Sequence, residues 1–279
     1  MRIFVTGATG YIGSAVVQEL IHAGHQVVGL TRSDKGVAQL KEAGAEAHIG
    51  SLEDLGSLRS GAAAADGVIH LAFNHDFSDF PGALRTDLQA IEAIGEVLTG
   101  SGKPFVITAH ANGEASENAV MALAQQGVRT SIVSLAPTVH GEGDKGFVPT
   151  LINIARSKSV SAYIGDGANR WPAVHRLDAA SLFRLAVESA PAGSRLDGVA
   201  DEGVPFRDIA GVIGERLNLP ASSIPREEAS AHFGFLGILA GLDIPRSSAQ
   251  TQALVGWRPV HAALMPDLEQ GHYFNNESV

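Results

Sequence analysis

At 279 residues with 45% hydrophobic side chains, the chain can bury a substantial core, either as one large α/β domain or as a large domain with a smaller lobe. Its 20 basic and 30 acidic residues give a formal charge of −10, which argues against nonspecific binding to nucleic acid or to an anionic membrane; a local basic pocket for phosphate is compatible with it. With no cysteine, disulfide and thiolate chemistry are excluded.

The first elements carry the most information. Ile3-Phe4-Val5 reads as a strand, and Ala15-Val16-Val17, Leu20 and Ile21 recur at helical spacing. Between them runs Thr6-Gly7-Ala8-Thr9-Gly10-Tyr11-Ile12-Gly13, a TGxxGxxG turn. Gly7 permits the turn, Gly10 lets a pyrophosphate approach the backbone, and Gly13 lets the helix pack closely on the strand, leaving the helix N-terminal amides facing the phosphates. A dinucleotide is expected on Gly7, Thr9, Gly10, Tyr11, Ile12 and Gly13. No signal-peptide pattern precedes the strand and no apolar run reaches transmembrane length, so the expected location is cytoplasmic, with no membrane or nucleic-acid partner.

The alternation continues. Gln26 to Thr31 reads as strand two, Val37 to Ala43 as a helix, Ala45 to Ile49 as strand three, and Asp66 to Leu71 as strand four. Leu84 to Leu98 is a long helix, Phe105 to Thr108 strand five, Glu114 to Gln126 a helix, and Arg129 to Leu135 strand six. Repeated βα units predict an α/β fold, a doubly wound parallel (Rossmann) sheet, with ligands outside the carboxyl ends of its strands. From about Pro137 the elements shorten between Gly and Pro. This divides the chain into a dinucleotide-binding domain over 1–136 and a smaller C-terminal substrate lobe over 137–279, with segments returning to the Rossmann core. The lobe is expected to lie over the cofactor.

The end of strand two bears on cofactor choice. A carboxylate there would bind the adenosine ribose diol; Thr31-Arg32-Ser33 instead offers a cation with flanking hydroxyls, suited to a 2′-phosphate. NADP(H) is expected in preference to NAD(H), with Arg32 and Ser33 as contacts.

Further segments carry a resemblance: Gly50-Ser51-Leu52, His70-Leu71-Ala72, Leu135-Ala136-Pro137-Thr138-Val139-His140-Gly141, Val174-His175-Arg176-Leu177-Asp178 and Val255-Gly256-Trp257-Arg258-Pro259. With the glycine turn, they make the chain similar to the extended or atypical short-chain dehydrogenase/reductases, the NAD-dependent epimerase/dehydratase-like group. The resemblance implies that Ser51 and Leu52 line the adenine, that Leu71, Ala72 and Phe73 pass under the cofactor, and that Pro137, Thr138 and Val139 lie near the nicotinamide. The family usually has Asp where Ser51 stands, which weakens the adenine contact or leaves it to the backbone.

The departure comes after strand five. Reductases of this kind use a Ser or Thr beyond the strand and a Tyr-x-x-x-Lys on the next helix, whose tyrosine exchanges a proton with the substrate. Aligning Ser116-Glu117 with the family's usual Ala-Glu puts Ala109 at the tyrosine position and Gly113 at the lysine position. Tyr11, Tyr163 and Tyr273 lie elsewhere, and no Tyr-x-x-x-Lys occurs in the chain. The strand-five connection is also short. Thr108 and His110 fall nearest the usual serine, and His140 stands where the family often has tyrosine; these three are the candidate catalytic groups.

Tyr163, Arg170, Trp171 and His175, with His140, form the candidate substrate-contacting set. Structural roles remain open for His175 and Trp171. The loop Gly141 to Gly146 reads as mobile and solvated. No metal site is expected: the histidines are scattered, and His70, His75 and Asp76 are better read as crevice lining than as ligands. The expected function is an atypical NADP(H)-dependent oxidoreductase passing hydride to or from a small organic substrate. The alternatives are a non-catalytic NADP(H)-binding sensor or regulator and, more weakly, a nucleotide-sugar epimerase/dehydratase-like enzyme. A homodimer stays open.

Overall fold

The computed structural model describes residues 1–74 and 79–275, so His75 and Asp76 lie outside the described residues. Six strands open the chain: β1 (Arg2–Thr6), β2 (Gln26–Thr31), β3 (Glu46–Ile49), β4 (Gly67–His70), β5 (Pro104–Thr108) and β6 (Arg129–Leu135). Six further strands follow: β7 (Thr138–His140), β8 (Ser161–Ile164), β9 (Arg170–His175), β10 (Ser194–Gly198), β11 (Asp201–Pro205) and β12 (Ala221–Ile224). The helices that matter below are α1 (Tyr11–His22), α2 (Asp34–Glu42), α3 (Leu55–Ala63), α4 (Phe80–Leu98) and α5 (Glu114–Gln125).

The chain divides into two compact units. The first comprises Met1–Ser134, Ala179–Leu196 and Ala249–Arg258; the second comprises Leu135–Asp178, Asp197–Ser248 and Pro259–Val279. No helix among the described residues is long and apolar enough to cross a membrane.

The first unit is built on a seven-stranded sheet in the order β10-β6-β5-β4-β1-β2-β3. From β6 through β3 every neighbouring pair is parallel. The strands read as near-continuous apolar runs because helices cover both faces, and Phe4, Phe105, Ile69 and Val106 are fully buried. The chain leaves β1 towards β2 on one side and returns to β4 on the other. The strand order therefore reverses between β1 and β4, and open α/β sheets bind ligands outside the carboxyl ends at such a point.

The second unit has its own core around Trp171, Phe206, Ile213, Phe233 and Leu264. It contains a three-stranded sheet, β11-β9-β7, and a parallel pair, β12-β8. β7 runs parallel to β9, pairing His140 with His175, while β11 runs antiparallel to it.

Candidate functional site

The glycine turn follows β1 at the point where the strand order reverses. Gly7 has φ +67°, and a Cβ on it would lie 2.7 Å from the Ala72 backbone nitrogen, so only glycine fits. A Cβ on Gly13 would stand 2.0 Å from the Gly7 carbonyl oxygen, which is how closely α1 approaches the turn. Gly10 differs: a Cβ there would meet only the Gly7 oxygen, at 3.2 Å, because the residue otherwise faces open space.

That space is a cavity of about 550 Å³. It brings together Gly7, Thr9 and Gly10 from the turn, Arg32 and Ser33 after β2, Ser51 and Leu52 after β3, and Leu71, Ala72 and Phe73 after β4. Tyr11 and Ile12 begin α1 beside it. Leu30, Thr31, Gly50, Glu53 and Asn74 complete the lining. The bare backbone at Gly7 and Gly10, backed by the start of α1, fits a pyrophosphate. Arg32 is exposed and pairs with no carboxylate among the described residues. Ser33 has a second use, since its Oγ caps α2 by accepting the Gly36 N–H at 3.2 Å.

A buried polar chain supports the Leu71 side of the cavity. Thr6 Oγ1 accepts the backbone N–H groups of Leu71 and Ala72, both at 3.2 Å, and lies 2.9 Å from His70 Nδ1. His70 Nε2 is 3.2 Å from Asp87 Oδ1, and Ser116 donates to Asp87 Oδ2 at 2.6 Å. Burial pushes the Asp87 carboxyl up, but its bonds to His70 and Ser116 outweigh that and hold it below the usual carboxylate range.

Only Ala109 to Gly113 connect β5 to α5, and Asn112 takes φ 57° to close the turn. Thr108 ends β5 with its hydroxyl buried and without a hydrogen-bond partner. His110 packs on Phe73, ring centroids 4.2 Å apart, beside a residue that lines the cavity.

The remaining candidates belong to the second unit. Pro137 precedes β7, and Thr138 and Val139 pair with Ala173 and Val174 of β9. His140 is fully buried, its Nδ1 2.7 Å from Asp267 Oδ2 and its Nε2 without a partner. The expected catalytic and substrate-contacting His140 is thus an enclosed ring with one unpartnered nitrogen. Trp171 is 1% exposed, its indole N–H donates to the Leu239 carbonyl, and it packs edge-on against Phe206. Arg170 is held by Asp243 through two bonds of 3.0 Å, and Tyr163 packs against the core. His175 is half-buried, edge-on to His140. The Gly141 to Gly146 loop is tied down rather than free: the Tyr273 hydroxyl accepts the Gly141 N–H at 2.9 Å and donates to Asp144 Oδ2 at 3.0 Å. Burial pushes the Asp144 carboxyl up.

Residues 3–81, which hold the glycine turn and every residue lining the cavity, match the NAD dependent epimerase/dehydratase family. A Schizosaccharomyces pombe protein is 50% identical over 295 aligned positions that cover 98% of this chain and all of its own length. The chain belongs to the NAD-dependent epimerase/dehydratase family. It is also similar to a 2-alkyl-3-oxoalkanoate reductase of Stenotrophomonas maltophilia, 24% identical across 84% of this chain and 79% of that enzyme. In fold it is similar to a dTDP-glucose 4,6-dehydratase of Streptomyces venezuelae solved with NAD and TYD bound, at TM-score 0.75 and 17% identity over 97% of each chain.

This member of the epimerase/dehydratase family carries no Tyr-x-x-x-Lys. The 295-position alignment exceeds the 279 residues here, so the S. pombe relative has residues without a counterpart in this chain.

Proposed function

We propose that the chain is an NADP(H)-dependent oxidoreductase acting on a small organic substrate. The observation that carries this reading is the cavity beside the glycine turn, with Arg32 on its wall at the end of β2, where a ribose-binding carboxylate would otherwise stand. The Gly7–Gly10 backbone and the start of α1 hold the pyrophosphate, Arg32 pairs with the 2′-phosphate, and Ser51 and Leu52 flank the adenine. When bound, NADP(H) supplies the hydride. Leu71, Ala72 and Phe73 line the cofactor's path, and His110, whose ring packs tilted against Phe73, moves the proton.

One observation favours a second reading. Without a Tyr-x-x-x-Lys the chain lacks the usual proton donor of its family, and a non-catalytic NADP(H)-binding protein needs none. Epimerase or dehydratase chemistry fits less well, since it relies on the same tyrosine. Anaerobic NADPH consumption across ketones, enones, imines and quinones, with cofactor binding measured separately, tests the proposal. Consumption with any of them supports the oxidoreductase; tight binding without consumption favours the binding protein; absence of NADPH binding contradicts both.

A further inference from the structure

The short connection between β5 and α5 contains Asn112-Gly113, the one place in this chain where glycine follows asparagine. Asn112 takes φ 57°, which asparagine tolerates in a turn, and its side chain is exposed with no hydrogen bond to a described residue. The bond that closes the turn runs from the Gly113 N–H to the His110 carbonyl, at 3.0 Å. α5 begins at the next residue, and no side chain caps it.

Other asparagines are placed differently. Asn118 and Asn153 lie inside helices, α5 and Phe147–Lys158, whose hydrogen-bonded backbone keeps each side chain away from the following amide. Asn169 donates through its amide to the Ala240 and Leu242 carbonyls, at 2.9 and 3.1 Å. Asn218 shares the positive φ, at 54°, but the branched Leu219 follows it. Asn112 alone among these combines a loop position, an unbonded side chain and a neighbour with no side chain to shield its backbone nitrogen.

We propose that Asn112 is a site of spontaneous modification, converted through a succinimide with Gly113 into aspartate and isoaspartate, and that the product shifts His110 against Phe73. The Gly113 nitrogen gives up its proton to solvent and attacks Asn112 Cγ; the new N–Cγ bond closes a five-membered ring, the Cγ–Nδ2 bond breaks, and ammonia leaves. Water then opens the ring. Addition at Cγ breaks the N–Cγ bond and gives aspartate, whereas addition at the backbone carbonyl breaks the old peptide bond and leaves the chain running through Cγ, as isoaspartate. Because the attacking nitrogen donates to His110 in the closed turn, the turn must first open. One exposed backbone bond of ordinary net strength slows the attack by about tenfold. Either product places a carboxylate two positions from His110, and isoaspartate adds a carbon to the main chain of a connection that spans only Ala109 to Gly113. The His110 ring, 4.2 Å from that of Phe73 between centroids, is carried by that connection. The modification stands independently of the oxidoreductase reading.

The test ages the folded protein and a urea-unfolded sample side by side at mildly alkaline pH, followed by digestion and mass spectrometry. In the folded sample the peptide holding Asn112 should gain the mass of an amide-to-acid conversion at a rate within about tenfold of the unfolded one, and part of it should be methylated by an isoaspartyl methyltransferase. Asn118 and Asn153 should stay unchanged. Gly113→Ala, whose Cβ would stand 3.0 Å from the His110 carbonyl oxygen, should slow the conversion by about tenfold or more in both samples. Asn112→Gly keeps the positive φ without the amide, so its melt should match the parent's and its peptide should gain no mass. A folded rate slower than that limit, or a conversion indifferent to Gly113→Ala, overturns the proposal. In nitrogen-15 spectra the His110 ring signals, identified by their loss in His110→Gln, should move as the folded sample ages; signals that stay put while the mass rises contradict the shift of His110.

Discussion

Thr6 donates its hydroxyl proton to His70, across 2.9 Å between the carboxyl ends of β1 and β4. The direction is fixed because the Thr6 oxygen already accepts two backbone N–H groups, from Leu71 and Ala72. His70 Nδ1 is then the acceptor, and its Nε2 proton points to Asp87, whose other oxygen takes the Ser116 hydroxyl. Every polar group in this buried chain is satisfied, and the chain fixes the Leu71-Ala72-Phe73 wall of the cavity.

Thr6→Val removes that acceptor and strands the Ala72 amide and an imidazole nitrogen, while the Leu71 N–H keeps its 3.3 Å bond to the Thr6 carbonyl. Unfolding free energy in urea should fall by about 2–4 kcal/mol with little change in m-value, and NADPH binding should weaken as the wall loosens. A loss below about 0.5 kcal/mol would show that water replaces the hydroxyl.

Arg32→Ala should weaken NADPH binding by about 1.5–3 kcal/mol while leaving NADH nearly unchanged, because only the former carries the 2′-phosphate. Calorimetric titration of both cofactors decides this, and equal losses for the two contradict the assignment.

Gly10→Val places a branched side chain in the space that a pyrophosphate would occupy. Since a Cβ at this position meets only the Gly7 oxygen at 3.2 Å, the fold should survive while NADPH binding is abolished. A thermal melt close to that of the parent protein, together with loss of the calorimetric signal, is the expected pair of results.

His110→Gln should lower turnover by about 10²–10⁴-fold with little effect on NADPH affinity. Unchanged turnover would assign proton supply to solvent.

Burial depresses the pKa of His175, and this predicts a pH dependence of stability. Between its ordinary value of 6.5 and about 4, the unfolded chain takes up a proton that the folded protein refuses, so this contribution to stability is present above that window and is lost as pH falls through it. His175→Gln lacks the contribution, and its unfolding free energy should decline less than that of the parent protein over the same pH range.

Much of the first unit is legible in the sequence. β2 and β6 match their predicted limits because apolar strand residues are bounded by turn residues on both sides. α3 was not legible: LGSLRSGAA has few apolar positions, and the helix is held by the Asp54 cap on Ser57 and by Gly61 packing against Phe4, where an added Cβ would come within 2.5 Å. α2 and α4 begin earlier than the apolar spacing suggests because Ser33 and Asp79 cap them. In the cavity, the residues belonging to the glycine turn and the family segments were readable. Glu53 and Asn74 were not, because they sit in connections without periodicity. Asp267 was out of reach for a different reason: it meets His140 across 127 positions of chain, a pairing set by tertiary structure alone.

Deuterium transfer from NADPH labelled at the reactive carbon of its nicotinamide tests the central claim most directly. The account predicts deuterium on the product carbon that receives the hydride, the former carbonyl carbon where the substrate is a ketone, in amounts equal to the NADP+ formed, with NADH much less effective at equal concentration. Tight NADPH binding with no deuterium in any ketone, enone or imine product, and no NADPH consumed by any quinone, would contradict it.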